Sequence, residues 1–288
     1  MKNYLINFSR NRFSFFVCCS LLVVLLLCLW LVFKTNEREN GIDEVGNENV
    51  SSNPHRLAKL EDVSEKGVIN IKVFDQEFAA FIFDISQDEI NFFYQNIDGE
   101  KYRTFSNLAQ QLARDSISLR FAMNAGIFDA HKKPEGLFLT KKDTISPLNL
   151  QDGFGNFYLK PNGVFYLTTE GRLGVLESEE FANTKIEALY ATQSGPMLLR
   201  DGVIHPAFNA GSKNLFVRNG VGILSPQQAV FLISKAPVNF FDFASVFQTY
   251  FNCENALYLD GAISEIYFPS MEEKNKHGSF SGIIGVVD

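Results

Sequence analysis

From Val68 to the C-terminus, apolar residues fall at every second position in short runs, and the runs stop at turns rich in glycine. A period of two is the signature of β-strands, whose successive side chains point to opposite faces. Val68-Ile-Asn-Ile-Lys-Val-Phe, Phe78-Ala-Ala-Phe-Ile-Phe and Ile90-Asn-Phe-Phe-Tyr read as three strands of a meander. Ile117–Met123, Ala229–Ser234, Leu257–Asp260, Ile263–Phe268 and Ile283–Val287 add further strands. Pro161-Asn162-Gly163, between two apolar stretches, predicts a hairpin, and Asp201-Gly202 predicts a second. Helical spacing occurs after Thr104 (Phe105, Leu108, Leu112, Ala113) and over Asn239–Phe251 (Phe240, Phe243, Val246, Phe247, Tyr250). Strands outnumber helices, and the helix–strand rhythm of a doubly wound sheet is absent. The expected class is α+β, a mixed, mostly antiparallel sheet core with flanking helices.

One transmembrane helix is expected to precede that domain. Residues 13–33 form an uncharged stretch of 21 residues, preceded by Lys2, Arg10 and Arg12. As a helix it spans roughly 30 Å, the thickness of the hydrocarbon core. The basic flank predicts residues 1–12 in the cytoplasm and the rest of the chain on the extracytoplasmic side, periplasmic or extracellular. A cleaved signal peptide is the competing reading. It is disfavoured because the run ends in the bulky Leu29-Trp30-Leu31-Val32-Phe33, with no small-residue cleavage site. Residues 34–66 are polar and lack periodic apolar positions, as in a flexible stalk. The remaining 67–288 are enough for one large domain.

Composition excludes several functions. The net charge of −7 argues against a nucleic-acid binder. There are 29 Phe and a single Trp, and most Phe lie within apolar runs, so they are expected in the core. Cys18, Cys19 and Cys28 sit in the membrane run, leaving Cys253 without an intradomain disulfide partner. Its setting reads as a buried thiol near a helix end rather than a nucleophile. No Gly-x-Ser-x-Gly elbow, P-loop or His-Glu-x-x-His helix is present. No cofactor is expected. A divalent cation stays an open alternative, because Asp129, Asp143 and Asp152 fall in loops, although their spacing is not that of a calcium loop.

Four segments combine an apolar run with a glycine-containing turn studded with polar side chains. They are Phe121-Ala-Met-Asn124-Ala-Gly126, Ala191-Thr-Gln193-Ser194-Gly195-Pro196, Arg218-Asn219-Gly220-Val-Gly222 and Leu257-Tyr-Leu-Asp260-Gly261-Ala-Ile-Ser264. Glycine there would permit a sharp turn and a close ligand approach. Read singly, each is as readily a plain turn as a functional group. Read functionally, Asp260 is a carboxylate able to act at an anomeric carbon. Arg218 is a bidentate phosphate clamp, Asn124 holds sugar hydroxyls, and Gln193, Ser194 and Gly195 cradle an anion. His205 either touches a phosphate or is a solvated strand-end side chain.

Taken in order, seven collinear segments resemble the phosphodiester glycosidase family, in particular its bacterial exported branch. They are Asn124–Phe128, Glu135–Phe138, Ser146–Asn149, Gly155–Phe165, Thr192–Met197, Arg218–Gly222 and Leu257–Ser264. The family includes the mammalian uncovering enzyme, which removes N-acetylglucosamine from mannose-6-phosphate diesters. The resemblance covers about Val68 to Val287. It implies hydrolysis of a sugar-1-phosphodiester, with Asn124, Arg218 and Asp260 catalytic. It also implies a pocket lined by Gln193, Ser194, Gly195, Asn219, Gly220, Gly261, Ser264 and His205. This chain has Asn124-Ala-Gly126 where the mammalian pattern has Asn-Gly-Gly, which narrows the space beside Asn124, and it lacks the cysteine-rich tail. The rival expectations are a non-catalytic binder of envelope glycan or phosphate-linked polymer, and a structural envelope protein whose glycine turns only connect strands.

Overall fold

Period-two patterning in this chain builds three separate sheets. The protein is seen as a computed structural model that describes residues 68–141, 143–261, 263–269 and 279–288. All of these fall in one compact unit, Pro54–Asp288. The expected segments 1–12, 13–33 and 34–66 lie outside the described residues. Among the described residues no helix is long and apolar enough to cross a membrane.

The largest sheet runs in the order β1 (Val68–Val73), β2 (Gln76–Asp84), β13 (Gln228–Ser234), β12 (Asn219–Ser225), β14 (Ala256–Asp260), β10 (Met197–Arg200), β11 (Val203–Ile204). A four-stranded sheet has the order β15 (Ile266–Tyr267), β4 (Leu119–Asn124), β16 (Ile283–Val287), β3 (Glu89–Phe93). A five-stranded sheet has the order β6 (Thr144–Ser146), β5 (Phe138–Leu139), β9 (Ala188–Ser194), β7 (Gly163–Thr168), β8 (Leu173–Glu177). Every strand pairing among the described residues is antiparallel. The expected mostly antiparallel, sheet-rich α+β character holds, with no parallel pairing among the described strands, and the single expected core sheet is three.

The alternation explains the layering. Ala79, Phe81 and Phe83 of β2 point into a central core shared by all three sheets, with Phe121, Phe165, Phe231 and Leu257. Phe78 and Ala80 point to the opposite face, which is covered by Phe243 and Ala244 of α3 (Phe240–Ser245) and by Val246 and Phe247 of the π-helical turn that continues it. The phenylalanine excess is largely this core: Phe81 stacks on Phe121 at 4.4 Å between ring centroids, and Phe231 lies against both Phe121 and Phe165. Cys253 is buried beyond the π-helical turn, as expected of an inert thiol. On the outer face of the four-stranded sheet lies α1 (Phe105–Arg114), which buries Phe105 and Leu108. Thr104 caps it by accepting the Asn107 N–H at 3.1 Å. The short α2 (Ser178–Asn183) follows β8.

Three local expectations are corrected. The first three strands do not form a meander: the second edge of β2 is taken by β13, with seven paired positions, and β3 pairs with β16 instead. Pro161-Asn162-Gly163 does not reverse a hairpin. The residues before it form a 3₁₀ turn (Asn156–Tyr158), the Asn162 amide bonds to Phe157 O at 2.9 Å, and Gly163 starts β7 between β8 and β9. Strand pairing around Ile263–Phe268 is limited to β15. The Asp201-Gly202 hairpin forms as expected: both residues have positive φ, 51° and 74°, the backbone of a type I′ turn.

Candidate active site

The four-stranded and five-stranded sheets each send one polar strand terminus to a common junction, and the seven-stranded sheet sends two. Asn124 ends β4, Ser194 ends β9, Asp260 ends β14, and Asn219 begins β12 directly opposite Asp260. Asn219 is completely buried and its amide ties the junction together. Its Nδ2 donates to Asn124 Oδ1 at 2.9 Å, and its Oδ1 accepts from Asp260 N at 2.8 Å. Ser264 Oγ lies 3.2 Å from the same Oδ1 and also reaches Asp260 O. Asn124 Oδ1 takes a second donor, Glu265 N, at 2.9 Å. Those two donors fix the Asn124 amide, yet its Nδ2 is buried with no hydrogen-bond partner among the described residues. The third sheet joins through Ser194, whose Oγ donates to Leu259 O at 2.8 Å and accepts from Ile127 N at 3.3 Å.

Arg218 adjoins Asn219 and is completely buried. Its guanidinium carbon lies 3.6 Å from the centroid of the Phe240 ring. Nε donates to Val238 O at 2.9 Å, while Nη2 donates to Asn214 O and Asn214 Oδ1 at 3.0 and 2.9 Å. Nη1 has the Tyr258 hydroxyl at 3.4 Å. No ion pair among the described residues neutralises this cation. Burial pulls its pKa down from the usual arginine value, with Tyr258 acting against that; a guanidinium nevertheless keeps its charge. The bidentate clamp read from sequence is therefore corrected. Protein carbonyls occupy the Nε and Nη2 donors, so no two-pronged edge is presented, and only Nη1 has a donor to spare.

Tyr258 was missed by sequence reasoning, which saw it as one more apolar strand residue. It lies two positions before Asp260 on the same face of β14. Burial, the largest cause, raises its pKa far above the usual phenol range. Arg218 opposes this, and the Asp260 charge adds to it. Its hydroxyl thus stays protonated, between a buried cation and a carboxylate. The Asn156 side chain reaches the same hydroxyl. Beside Arg218 opens a cleft of about 190 Å³ lined by Asn156, Leu159, Phe208, Asn209, Asn214 and Phe240, among others. A larger hollow of about 460 Å³, walled by Tyr94, Tyr102 and Tyr190, shares no residue with this network.

Three of the expected pocket residues serve the scaffold. The Gln193 amide is fully engaged: Oε1 accepts from Leu137 N and Asn149 N, and Nε2 donates to Asn149 O and Ser178 Oγ. His205 is neither solvated nor free to meet a phosphate. It is buried, with Nε2 3.0 Å from Lys160 O, and Nδ1 accepts from Ala207 N at 3.1 Å. Gly195 lies at the step from β9 to β10, between two sheets, and a Cβ there would meet Phe157 O at 2.5 Å. The motif glycines share this property. Added Cβ atoms would lie 2.4 Å from Gln193 O at Gly126, 2.8 Å from Leu257 O at Gly220 and 1.6 Å from the Tyr258 hydroxyl at Gly261. None of these glycines has positive φ. They make room for the protein's own atoms rather than for sharp turns or a ligand. As for a metal, Asp129 accepts from His131 N and Lys133 N within its own loop, and Asp152 pairs with Lys160. No group of three or more metal-ligating side chains gathers among the described residues.

The phosphodiester glycosidase family pattern matches residues 118–280, more than half of the chain and all four termini of the junction. The chain belongs to this family. A relative from Escherichia coli (strain K12), the uncharacterized protein YigE, is 36% identical over 188 residues, covering 65% of this chain and 73% of the relative. Among solved structures, the fold is similar to the catalytic domain of zebrafish N-acetylglucosamine-1-phosphodiester alpha-N-acetylglucosaminidase, auto-inhibited by its pro-peptide. That match has a TM-score of 0.52 and 14% identity, covering 76% of this chain and 81% of the zebrafish chain. At that identity the similarity concerns the fold alone.

Proposed function

We propose that this family member is a hydrolase that cleaves a sugar from a sugar-1-phosphodiester at the cell envelope, held to the membrane through residues 13–33 with its domain on the extracytoplasmic side. The observation that carries the reading is the junction itself: polar strand termini from all three sheets beside a buried cation that has no carboxylate partner among the described residues. A phosphate monoester leaves with little need of protonation, so the site has mainly to stabilise charge and orient water. Arg218, which contacts the cleft residues Asn214 and Phe240, supplies positive potential there. Tyr258, kept protonated, offers a hydroxyl donor to a phosphate oxygen. Asp260 stabilises the oxocarbenium-like transition state or acts as base for the incoming water. The unpartnered Nδ2 of Asn124 is a donor suited to a sugar hydroxyl, and Ser264, Asn219 and Ser194 hold these groups in place.

The test is release of free sugar from N-acetylglucosamine- and glucose-1-phosphodiesters. Wild type is expected to turn over at least one of them, and Asp260→Asn to lose at least about a thousandfold in kcat, as expected for loss of the central carboxylate. Binding of the diesters without turnover would make the protein a binder of envelope phosphoglycans instead.

A further inference from the structure

Most of the large apolar side chains left on the surface belong to two segments of the chain. Seven are exposed among the described residues: Phe74, Ile97, Leu150, Phe154, Val203, Leu215 and Phe216. Four of the seven stand on the two segments that wall the cleft beside Arg218. Leu150 and Phe154 precede Asn156 and Leu159 on one side, and Leu215 and Phe216 follow Asn209, Ser212 and Asn214 on the other. Phe154 is fully exposed, and Leu215 and Phe216 are each 50% exposed. Phe216 continues the wall inward, with its ring centroid 5.5 Å from the Arg218 guanidinium carbon. Half-buried Phe240 and Phe241 line the cleft itself. The cleft thus shares Asn214 and Phe240 with the surroundings of a buried cation that has no ion pair among the described residues, and exposed apolar side chains stand on the segments that supply its walls. Clustered apolar surface around a polar site marks a surface that is covered when its ligand is bound.

We infer that the substrate is amphiphilic, a sugar-1-phosphodiester whose leaving group carries an alkyl or polyprenyl-like chain, with that chain lying along Phe240, Phe241, Leu215 and Phe216. This rests on the glycosidase reading above and names its substrate class. The chemistry beside the cleft suits such a molecule: a buried cation in contact with the cleft residues Asn214 and Phe240 for the phosphate, and the aromatic carbon of Phe240 and Phe241 for the chain. The reaction is a hydrolysis. The bond from the anomeric carbon to the phosphate oxygen breaks, and its electron pair stays on the alkyl phosphate. Water oxygen bonds to the anomeric carbon, and the water proton passes to a base and then to solvent.

The experiment compares methyl, butyl and octyl esters of one sugar-1-phosphate, below their aggregation limits, with the full-length protein in lipid nanodiscs. Each buried methylene is worth about a fourfold gain, from about 0.8 kcal/mol. The octyl ester is therefore expected to exceed the methyl ester in kcat/KM by at least about thirtyfold. Leu215→Ser and Phe216→Ser should each shrink that octyl-to-methyl ratio severalfold, which partition into the bilayer alone would not do. Equal kcat/KM for all chain lengths would overturn the inference and leave the glycosidase reading intact. A ratio unchanged by the rim variants, with weakened binding of the protein to lipid vesicles, would also overturn it and make the rim a membrane contact. No turnover of any ester would overturn the glycosidase reading and this inference with it.

Discussion

Asn219 does more for the site than any of the side chains the chemistry would use directly. Its amide joins Asn124, the Asp260 backbone and Ser264, and Asn124 and Asp260 are buried with it. Asn219→Ala strands buried donors and is expected to cost about 3 kcal/mol by urea unfolding. A loss below about 1 kcal/mol would show that the junction is not held this way. Gly261→Ala forces the Tyr258 hydroxyl aside, because a Cβ would sit 1.6 Å from it. A displacement of that size beside the reacting groups should lower turnover about a hundredfold. Wild-type activity in that variant would remove Tyr258 from the mechanism. The site was partly legible in sequence, since Asn124, Ser194, Asn219, Asp260 and Ser264 do meet. Tyr258 was not, because a buried phenol and a buried hydrocarbon leave the same trace in an alternating pattern. Gln193 and His205 misled for the converse reason: polar groups needed by buried backbone look like polar groups offered to a ligand.

At the scale of elements, the strands were legible and their partners were not. β1, β2, β3, β13, β14 and β16 lie where alternation places them, because one buried face per strand writes a period-two pattern. The departure of β3 to another sheet leaves no such mark: any apolar edge can pair with any other, and the choice is made by distant packing. Short β5 and β15 carry too few residues for a pattern at all. α1 is the element most local in its causes, with Thr104 as cap and an apolar stripe beneath. Thr104→Ala is expected to cost about 1 kcal/mol without affecting turnover, since α1 lies on the outer face of the four-stranded sheet. Differential scanning calorimetry and the diester assay on one preparation would check both halves of that statement.

For the molecule as a whole, acid should act through His205. Burial, the largest cause, holds this imidazole below its ordinary value of 6.5, while its hydrogen bond to Lys160 O works the other way. The folded protein therefore takes up that proton less readily than the unfolded chain. The stability this contributes is complete above about pH 6.5 and is lost as the pH falls through that value toward the depressed one. Urea midpoints measured from about pH 7.5 to about pH 5 should decline, with a shallower decline in His205→Gln; parallel curves would assign the acid sensitivity elsewhere. The connectivity has a different consequence. Asn124 is the register partner of Ile283 in β16, which runs between β4 and β3. The strand terminus that carries Asn124 is thus held by a neighbour distant in sequence, and no contiguous part of the chain can assemble the junction by itself.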